Sequence, residues 1–268
     1  MILILERSLP GRTAQALKKY QQKIDKLPDY AERVALAKKE FSNKNKNTNR
    51  VFTVVRQTLH EMCSGSCRCM YCEDSCADEV EHVRPKTIYP EFTFAWENYL
   101  YACGPCNGGK SNQFELFDTI TQALVNVSRR PADPVVQPVT GDPVLIDPRS
   151  EEPMSYIALD LRDTFAFQPY PGRSQRDRQR AQQTIKILDL NRDVLLKARR
   201  DAYGSYRARL KEYREEKAKG APIERLDRLV SALSHLQHPT VWREMQRQSS
   251  KISELNSLFQ QVPEASQW

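Results

Sequence analysis

The amino-acid sequence predicts an α+β protein that is mainly helical, with a small zinc-stapled element between helical N- and C-terminal regions. Apolar residues recur at helical spacing near both ends of the chain. All seven cysteines fall between Cys63 and Cys106, and a proline-rich stretch follows them. These observations divide the chain into a helical N-terminal region (1–62), a cysteine-rich core (63–127), a proline-rich connector with a hairpin (128–173) and a helical C-terminal region (174–268).

Composition and charge narrow the class of protein. The chain has 268 residues, a net charge of +7 and a pI of about 9.0, and this basic balance favours nucleic acid as a partner. No apolar run approaches the ~18–20 residues that cross a bilayer. The apolar stretch in "MILILERSLPGR" is too short for the core of a signal peptide. We therefore expect a soluble, cytoplasmic protein without membrane contact.

The N-terminal region is predicted to form helices. One helix is marked by Leu17, Tyr20, Ile24 and Leu27. A second begins near Pro28 and Asp29, where Asp is a favoured capping residue. The segment "RVFTVVRQTLHEM" is a third, more apolar candidate, although its β-branched residues weaken the prediction of a helix.

The cysteines form two Cys-x-x-Cys pairs, Cys69/Cys72 and Cys103/Cys106. Two such pairs together supply four thiolates, the usual closed shell of a structural zinc site. A single pair also suits a redox dithiol, but two pairs favour a shared zinc ion. Thirty residues separate the pairs, more than the ~15–20 of a plain zinc ribbon, so a small motif is inserted between them.

Three further cysteines leave the assignment open. Cys63, Cys67 and Cys76 permit other pairings within "CSGSCRCMYCEDSC". The two-residue spacing of Cys69/Cys72 matches that of the second pair, which is why it is preferred. The other three cysteines are then either bystanders or ligands of a second ion.

Residues between and after the pairs suit phosphodiester hydrolysis. Glu81, Asn98 and Asn107 offer oxygen ligands, which Mg²⁺ and Mn²⁺ prefer. His82 is of the type that takes a proton from water near neutral pH. A lone histidine is more often structural, but these neighbours favour catalysis. Glu81 and His82 share one site only if the predicted strand ends there, since adjacent strand residues face opposite ways.

The rest of the chain is predicted to be a connector, a hairpin and helices. Prolines disfavour helix in 128–153, and partly alternating apolar residues near 155–172 predict a hairpin with its turn at Arg162 and Asp163. Helical periodicity returns after Ser174, where many basic residues occur. Those cations suit either phosphates or an acidic partner surface.

The motifs together resemble a known family. "EHVRPK" followed by "WENYLYACGPCNGGKSN" resembles the core of HNH endonucleases, which have a ββα-metal fold. With "CMYCE", "LIDPR" and "ILDLNRDVLLKAR", residues 66–205 resemble bacterial HNH proteins of Septu-like and retron-linked anti-phage systems. Members of that subgroup are often encoded beside an ABC-type ATPase, so the resemblance implies an ATPase partner.

The resemblance also implies residue roles. His82 is the expected general base, and Glu81 and Asn107 are the expected ligands of one catalytic Mg²⁺ or Mn²⁺. Asn98 is expected to brace the loop that carries His82. Lys110 and Arg84 are expected to contact phosphate. Asn107 stands where the family more often has histidine, which favours Mg²⁺ over zinc or nickel at this position.

The expected function is a metal-dependent HNH endonuclease, acting on DNA rather than RNA, as the effector of an anti-phage complex with an ATPase. One alternative is an HNH ribonuclease acting on tRNA or other RNA. Another is a non-catalytic zinc module that binds nucleic acid or protein. The glutamate, histidine and asparagine set favours the enzyme, because these residues have no shared purpose in a pure zinc ribbon.

Overall fold

In the computed structural model, which describes residues 1–268, the first three helices are α1 (Gly11–Asp25), α2 (Tyr30–Lys44) and α3 (Arg50–Met62). The Asp29 side chain caps α2 and the Asn49 side chain caps α3 by accepting backbone N–H groups. The β-branched third segment is a helix because it buries one apolar stripe, whose packing outweighs its weak propensity. This stripe consists of Phe52, Val55, Leu59 and Met62.

The cysteine-rich region contains a short hairpin followed by a short helix. Strands β1 (Glu79–His82) and β2 (Tyr99–Ala102) pair antiparallel, with His82 opposite Tyr99. Helix α4 (Gly104–Lys110) follows β2 directly. The connection between the two strands contains two turns of 3-10 helix and lies against the N-terminal helices.

The second sheet has three strands in the order β4-β3-β5. They are β3 (Glu115–Asp118), β4 (Leu124–Asn126) and β5 (Gly141–Pro143), all paired antiparallel. The proline-rich connector therefore contributes one strand instead of running free along its whole length. Gly141 allows this pairing, since a Cβ there would lie 2.3 Å from the carbonyl oxygen of Phe117.

The predicted hairpin is confirmed as β6 (Ile157–Leu159) and β7 (Phe167–Pro169), with Arg162 and Asp163 in the turn between them. Five helices make up most of the remaining chain. They are α5 (Gln175–Ile187), α6 (Asp193–Ala218), α7 (Ile223–Ser234), α8 (Pro239–Gln248) and α9 (Ser253–Gln261).

One continuous apolar core joins the N-terminal helices, the cysteine-rich hairpin and the C-terminal helices. The architecture is therefore mixed α/β, with small sheets set among helices, as the predicted α+β class requires. Among these helices, none combines the length and the apolar character needed to cross a membrane.

Candidate metal and catalytic site

Four cysteines meet at the base of the β1–β2 hairpin. The sulfurs of Cys69, Cys72, Cys103 and Cys106 all lie within 4.8 Å of one another, and all four residues are buried. The Cys72 and Cys103 sulfurs are 3.8 Å apart. Thiolates ~2.3 Å from a central zinc ion stand about 3.8 Å apart in a tetrahedron. This donor set therefore fits a structural zinc ion, and it joins the same two Cys-x-x-Cys pairs that the sequence suggests.

Neighbouring segments hold the cysteines in place. The backbone bridge between Arg68 and Cys76 closes the loop that carries the first pair, while β2 and α4 carry the second. A guanidinium N–H of Arg192, just before α6, donates to the Cys106 sulfur at 3.8 Å. A donor of this kind offsets the charge of thiolates around a metal. The four-cysteine cluster thus connects the hairpin to the C-terminal helices.

Beside the cluster lies a polar cavity of about 300 Å³ with no apolar lining residue. The residues that carry charge or hydrogen-bonding groups into it include Glu79, Glu81, His82, Lys86, Asn107 and Asn112. Glu79 and Glu81 come from the same face of β1, His82 ends that strand, and Asn107 lies on α4. The structure thus brings together the predicted base and both predicted metal ligands.

His82 is held by a backbone carbonyl and by aromatic rings. Its Nε2 lies 2.9 Å from the carbonyl oxygen of Thr93. A carbonyl only accepts, so we assign the proton to Nε2, which leaves the lone pair of Nδ1 free. The ring centres of Phe41 and Tyr99 lie 4.4 and 5.2 Å from the imidazole. Burial, with Lys86 nearby, holds the pKa of His82 well below its usual value, so the imidazole is neutral.

Lys110 is buried, although the prediction is that it contacts phosphate. Its side chain has no exposed surface. Its ammonium lies 2.6 Å from Oε1 of Glu81 and donates to the carbonyl oxygen of His82 at 2.8 Å. Burial raises the pKa of Glu81, and the Lys110 charge opposes that rise. This enclosed ammonium gives no support to a phosphate contact, which stays a prediction, and in the structure Lys110 fixes the end of β1.

Arg84 also lies outside the cavity. Its guanidinium stacks 4.8 Å from the ring centre of Phe92 and 5.8 Å from that of Tyr89, and it lines two other clefts. The cation inside the cavity is Lys86, whose ammonium lies 4.8 Å from the ring centre of Phe41. Burial lowers the pKa of Lys86. The motif "EHVRPK" predicts a cation at this cavity, but the sequence does not show whether the side chain of Arg84 or that of Lys86 lines it.

Asn98 ties together the two ends of the connection between β1 and β2. Its Oδ1 accepts the backbone N–H of Arg84 at 2.8 Å. Its Nδ2 donates to the carbonyl oxygens of Arg84 and Phe92 at 3.0 and 2.9 Å. The side chain is buried and does not line the cavity. These contacts have the pattern expected of a residue that braces the loop after His82.

Glu79 also lines the cavity, although it is not among the site residues that the sequence predicts. Its Oε2 accepts a hydrogen bond from Nδ2 of Asn107 at 2.5 Å. The signal that would have found it is its position two residues before Glu81 on a strand, which places both carboxylates on one face. Two carboxylates and an amide oxygen suit a hard divalent cation such as Mg²⁺ or Mn²⁺. The donor types present are thus those that such an ion takes, although Glu81 is also paired with Lys110.

Comparison with known proteins gives a partial similarity. No protein-family model matches the chain. A segment of 77 residues is 34% identical to the Septu protein PtuB of Bacillus thuringiensis. This segment covers 27% of the chain and spans 28% of the length of PtuB. The similarity relates part of the chain to a Septu protein and leaves the remainder unmatched.

Proposed function

We propose that this protein is a metal-dependent endonuclease of the HNH type that hydrolyses phosphodiester bonds of DNA. The observation that carries the proposal is the convergence of His82, Glu81 and Asn107 on one polar cavity. That cavity lies on an antiparallel hairpin followed by a helix, next to four clustered cysteines. A general base beside a set of oxygen ligands is the arrangement that phosphodiester hydrolysis requires.

Each residue has a defined task in this proposal. His82 takes a proton from the attacking water through Nδ1, while the Thr93 carbonyl keeps the ring in place. Glu79, Glu81 and Asn107 would hold Mg²⁺ or Mn²⁺, which when bound stabilises negative charge developing on the phosphate. Lys86 is the one lysine or arginine that lines the cavity, and in this proposal it attracts the phosphate. Asn98 and Lys110 act through the backbone that they hold.

The biological role follows from the Septu similarity. Because part of the chain is similar to a Septu protein, we propose that the nuclease serves in anti-phage defence. The resemblance of residues 66–205 to HNH proteins of such systems adds an ABC-type ATPase as partner. In this proposal the chain is the effector of a complex, and the partner controls when it cuts.

The decisive experiment is a cleavage assay with purified protein, alone and with its ATPase. Plasmid DNA and total RNA are incubated with Mg²⁺, Mn²⁺ or EDTA. We expect metal-dependent cutting of DNA. His82→Ala should reduce the rate by at least about 10²-fold, the usual share of a general base, with zinc content unchanged. Loss of this buried ring should also lower the melting temperature, so the assay is run at a temperature where circular dichroism shows the variant to be folded. The matched control is His60→Ala, which removes an exposed histidine outside the cavity.

The possible results separate the functions. Cleavage by His82→Ala at the wild-type rate would contradict the role of His82. Cutting of RNA but not of DNA would make the protein a ribonuclease with the same site. Binding of zinc without cleavage of either substrate, under all metal conditions and with the ATPase present, would support a non-catalytic zinc module.

A further inference from the structure

A second concavity, in the C-terminal half of the chain, carries the opposite charge to the catalytic cavity. It is a groove of about 790 Å³ between the β6–β7 turn, helix α6 and the start of α9. We call it the basic groove. Its cations are Arg162, Arg200, Arg207 and Lys251, and its single carboxylate is Glu254. Glu254 pairs with Arg207, whereas the other three cations form no ion pair within the chain.

Two of these cations pack against aromatic rings. The guanidinium of Arg200 lies 5.5 Å from the ring centre of Phe165, and that of Arg207 lies 5.2 Å from the ring centre of Tyr203. Phe165 adopts a φ of 58°, which bulky residues rarely do, and its ring packs 5.6 Å from that of Tyr203. Arg200 donates one N–H to the carbonyl oxygen of Asp163 at 3.3 Å and keeps its other N–H groups available for phosphate oxygens, whereas Arg207 is paired with Glu254.

The floor of the groove contains a glycine that the fold itself does not require. Gly204 lies within α6, between the turns that carry Arg200 and Arg207. It is exposed, and apart from the adjoining backbone of α6 no protein atom lies within 4 Å of where a Cβ would be. Glycine weakens a helix relative to alanine. Its missing side chain therefore leaves room on the groove floor for something outside this chain.

Other basic residues of the C-terminal region are used inside the protein. Arg199 is buried and donates to the carbonyl oxygens of Phe165 and Leu190. Arg176 and Arg180 are paired with the carboxylates of Asp142 and Glu151. Part of the cationic sequence signal is therefore structural.

We propose that the basic groove binds the phosphodiester backbone of a nucleic acid, as a holding site separate from the catalytic cavity. The proposal rests on the proposed nuclease function. The catalytic cavity offers one cation, Lys86, against Glu79 and Glu81, so attraction for a polyanion must arise elsewhere. An acidic protein segment is the other possible polyanion. Three groove cations without a carboxylate partner complement a chain of phosphates, which the proposed nuclease must hold, and this charge complementarity favours the nucleic acid.

The test is direct binding of a labelled oligonucleotide, measured by fluorescence anisotropy in EDTA so that no cutting occurs. The groove variant is Arg162→Ala/Arg200→Ala/Lys251→Ala. We expect its affinity to fall at least about 10-fold at ~0.1 M salt. The slope of log K against log salt should decrease in magnitude by about 2–3, because roughly 0.7–0.9 of slope accompanies each phosphate contact.

The matched control removes the same charge from exposed cations elsewhere, as Arg12→Ala/Lys26→Ala/Arg228→Ala. Net charge falls equally in both triple variants, so only a local effect distinguishes them. Wild-type affinity and salt slope in the groove variant would overturn the proposal, and this is also the result expected if the groove binds an acidic protein. Because binding is read without cleavage, failure of the nuclease proposal leaves this measurement intact.

A second variant guards against loss of the fold. Gly204→Glu places a carboxylate on the groove floor at a position where no protein atom obstructs a side chain. We expect at least about a 10-fold loss of oligonucleotide affinity with an undiminished melting temperature, since glutamate is a better helix former than glycine. Unchanged affinity in this folded variant would count against the groove as a binding site.

Discussion

The proposed catalytic cavity and the basic groove differ in how their charged groups are held. In the cavity, His82 is fixed by a carbonyl, Glu81 by the ammonium of Lys110, and Asn107 by Glu79. In the groove, the cations lie at the surface, where salt screens them. The cavity therefore holds its side chains in fixed positions, whereas the groove attracts a polyanion through its charge. Changes near the cavity should be large and insensitive to salt, and changes in the groove smaller and dependent on salt.

The largest effect should come from the four-cysteine cluster that supports the cavity. Cys72→Ser removes one of four grouped thiolates, and we expect loss of the zinc ion. Binding of a structural zinc ion is worth on the order of 10 kcal/mol at neutral pH, and that free energy is linked to folding. The hairpin should therefore unfold locally and cleavage should cease. Metal content by mass spectrometry and thermal unfolding measure the two consequences.

Cys76→Ser is the control for this change. Cys76 lies four residues further along the chain, is exposed, and stands outside the cluster. We expect one zinc ion per chain and an unchanged melting temperature in this variant. Full zinc content in Cys72→Ser would show that the cluster is not a metal site.

Much of the fold around the cavity could be predicted because it depends on local pattern. Helix α1 and the β6–β7 hairpin follow from apolar spacing, and the Cys-x-x-Cys spacing selects the four grouped cysteines. The strand that the connector adds beside β3 was not predicted. Its pairing depends on a close approach of Gly141 to Phe117, which no local pattern reports.

The site could be predicted by motif but not by side-chain direction. "EHVRPK" contains two cations, and only the packing of Phe41 and Phe92 decides that Lys86 turns inward and Arg84 outward. The resemblance to HNH proteins implies a phosphate contact for Lys110, and the structure shows this side chain buried. Its burial depends on a carboxylate 29 positions earlier in the chain, which sequence reading does not place beside it.

An intermediate effect is expected from Lys110→Met. This change removes the cation beside the buried carboxylate of Glu81 and leaves that charge without compensation. Breaking a buried ion pair in this way costs about 3–5 kcal/mol. Urea unfolding measures the loss, and oligonucleotide binding in EDTA should not change, because the groove is untouched.

The double variant Lys110→Met/Glu81→Gln separates charge from packing. It removes both members of the ion pair, so the uncompensated charge disappears, and we expect part of the lost stability to return. Stability in the double variant equal to or lower than that of Lys110→Met would show that Lys110 acts through packing rather than through its charge. Cleavage should be absent in the double variant, since Glu81 is an expected metal ligand.

The smallest effect is expected from Gly204→Ala. Unlike the changes near the cavity, this substitution in the groove should stabilise the protein. Alanine in the interior of an exposed helix is about 1 kcal/mol more favourable than glycine, and no neighbour opposes a Cβ at this position. The melting temperature should therefore rise by roughly 2–4 °C. Gly220→Ala is the matched control. Gly220 follows α6 with a φ of 75°, where an L-residue is strained by about 1–2 kcal/mol, so the same substitution should destabilise. A lower melting temperature for Gly204→Ala would mean that the fold requires a glycine at this position. The missing side chain would then no longer be an argument for a ligand in the groove.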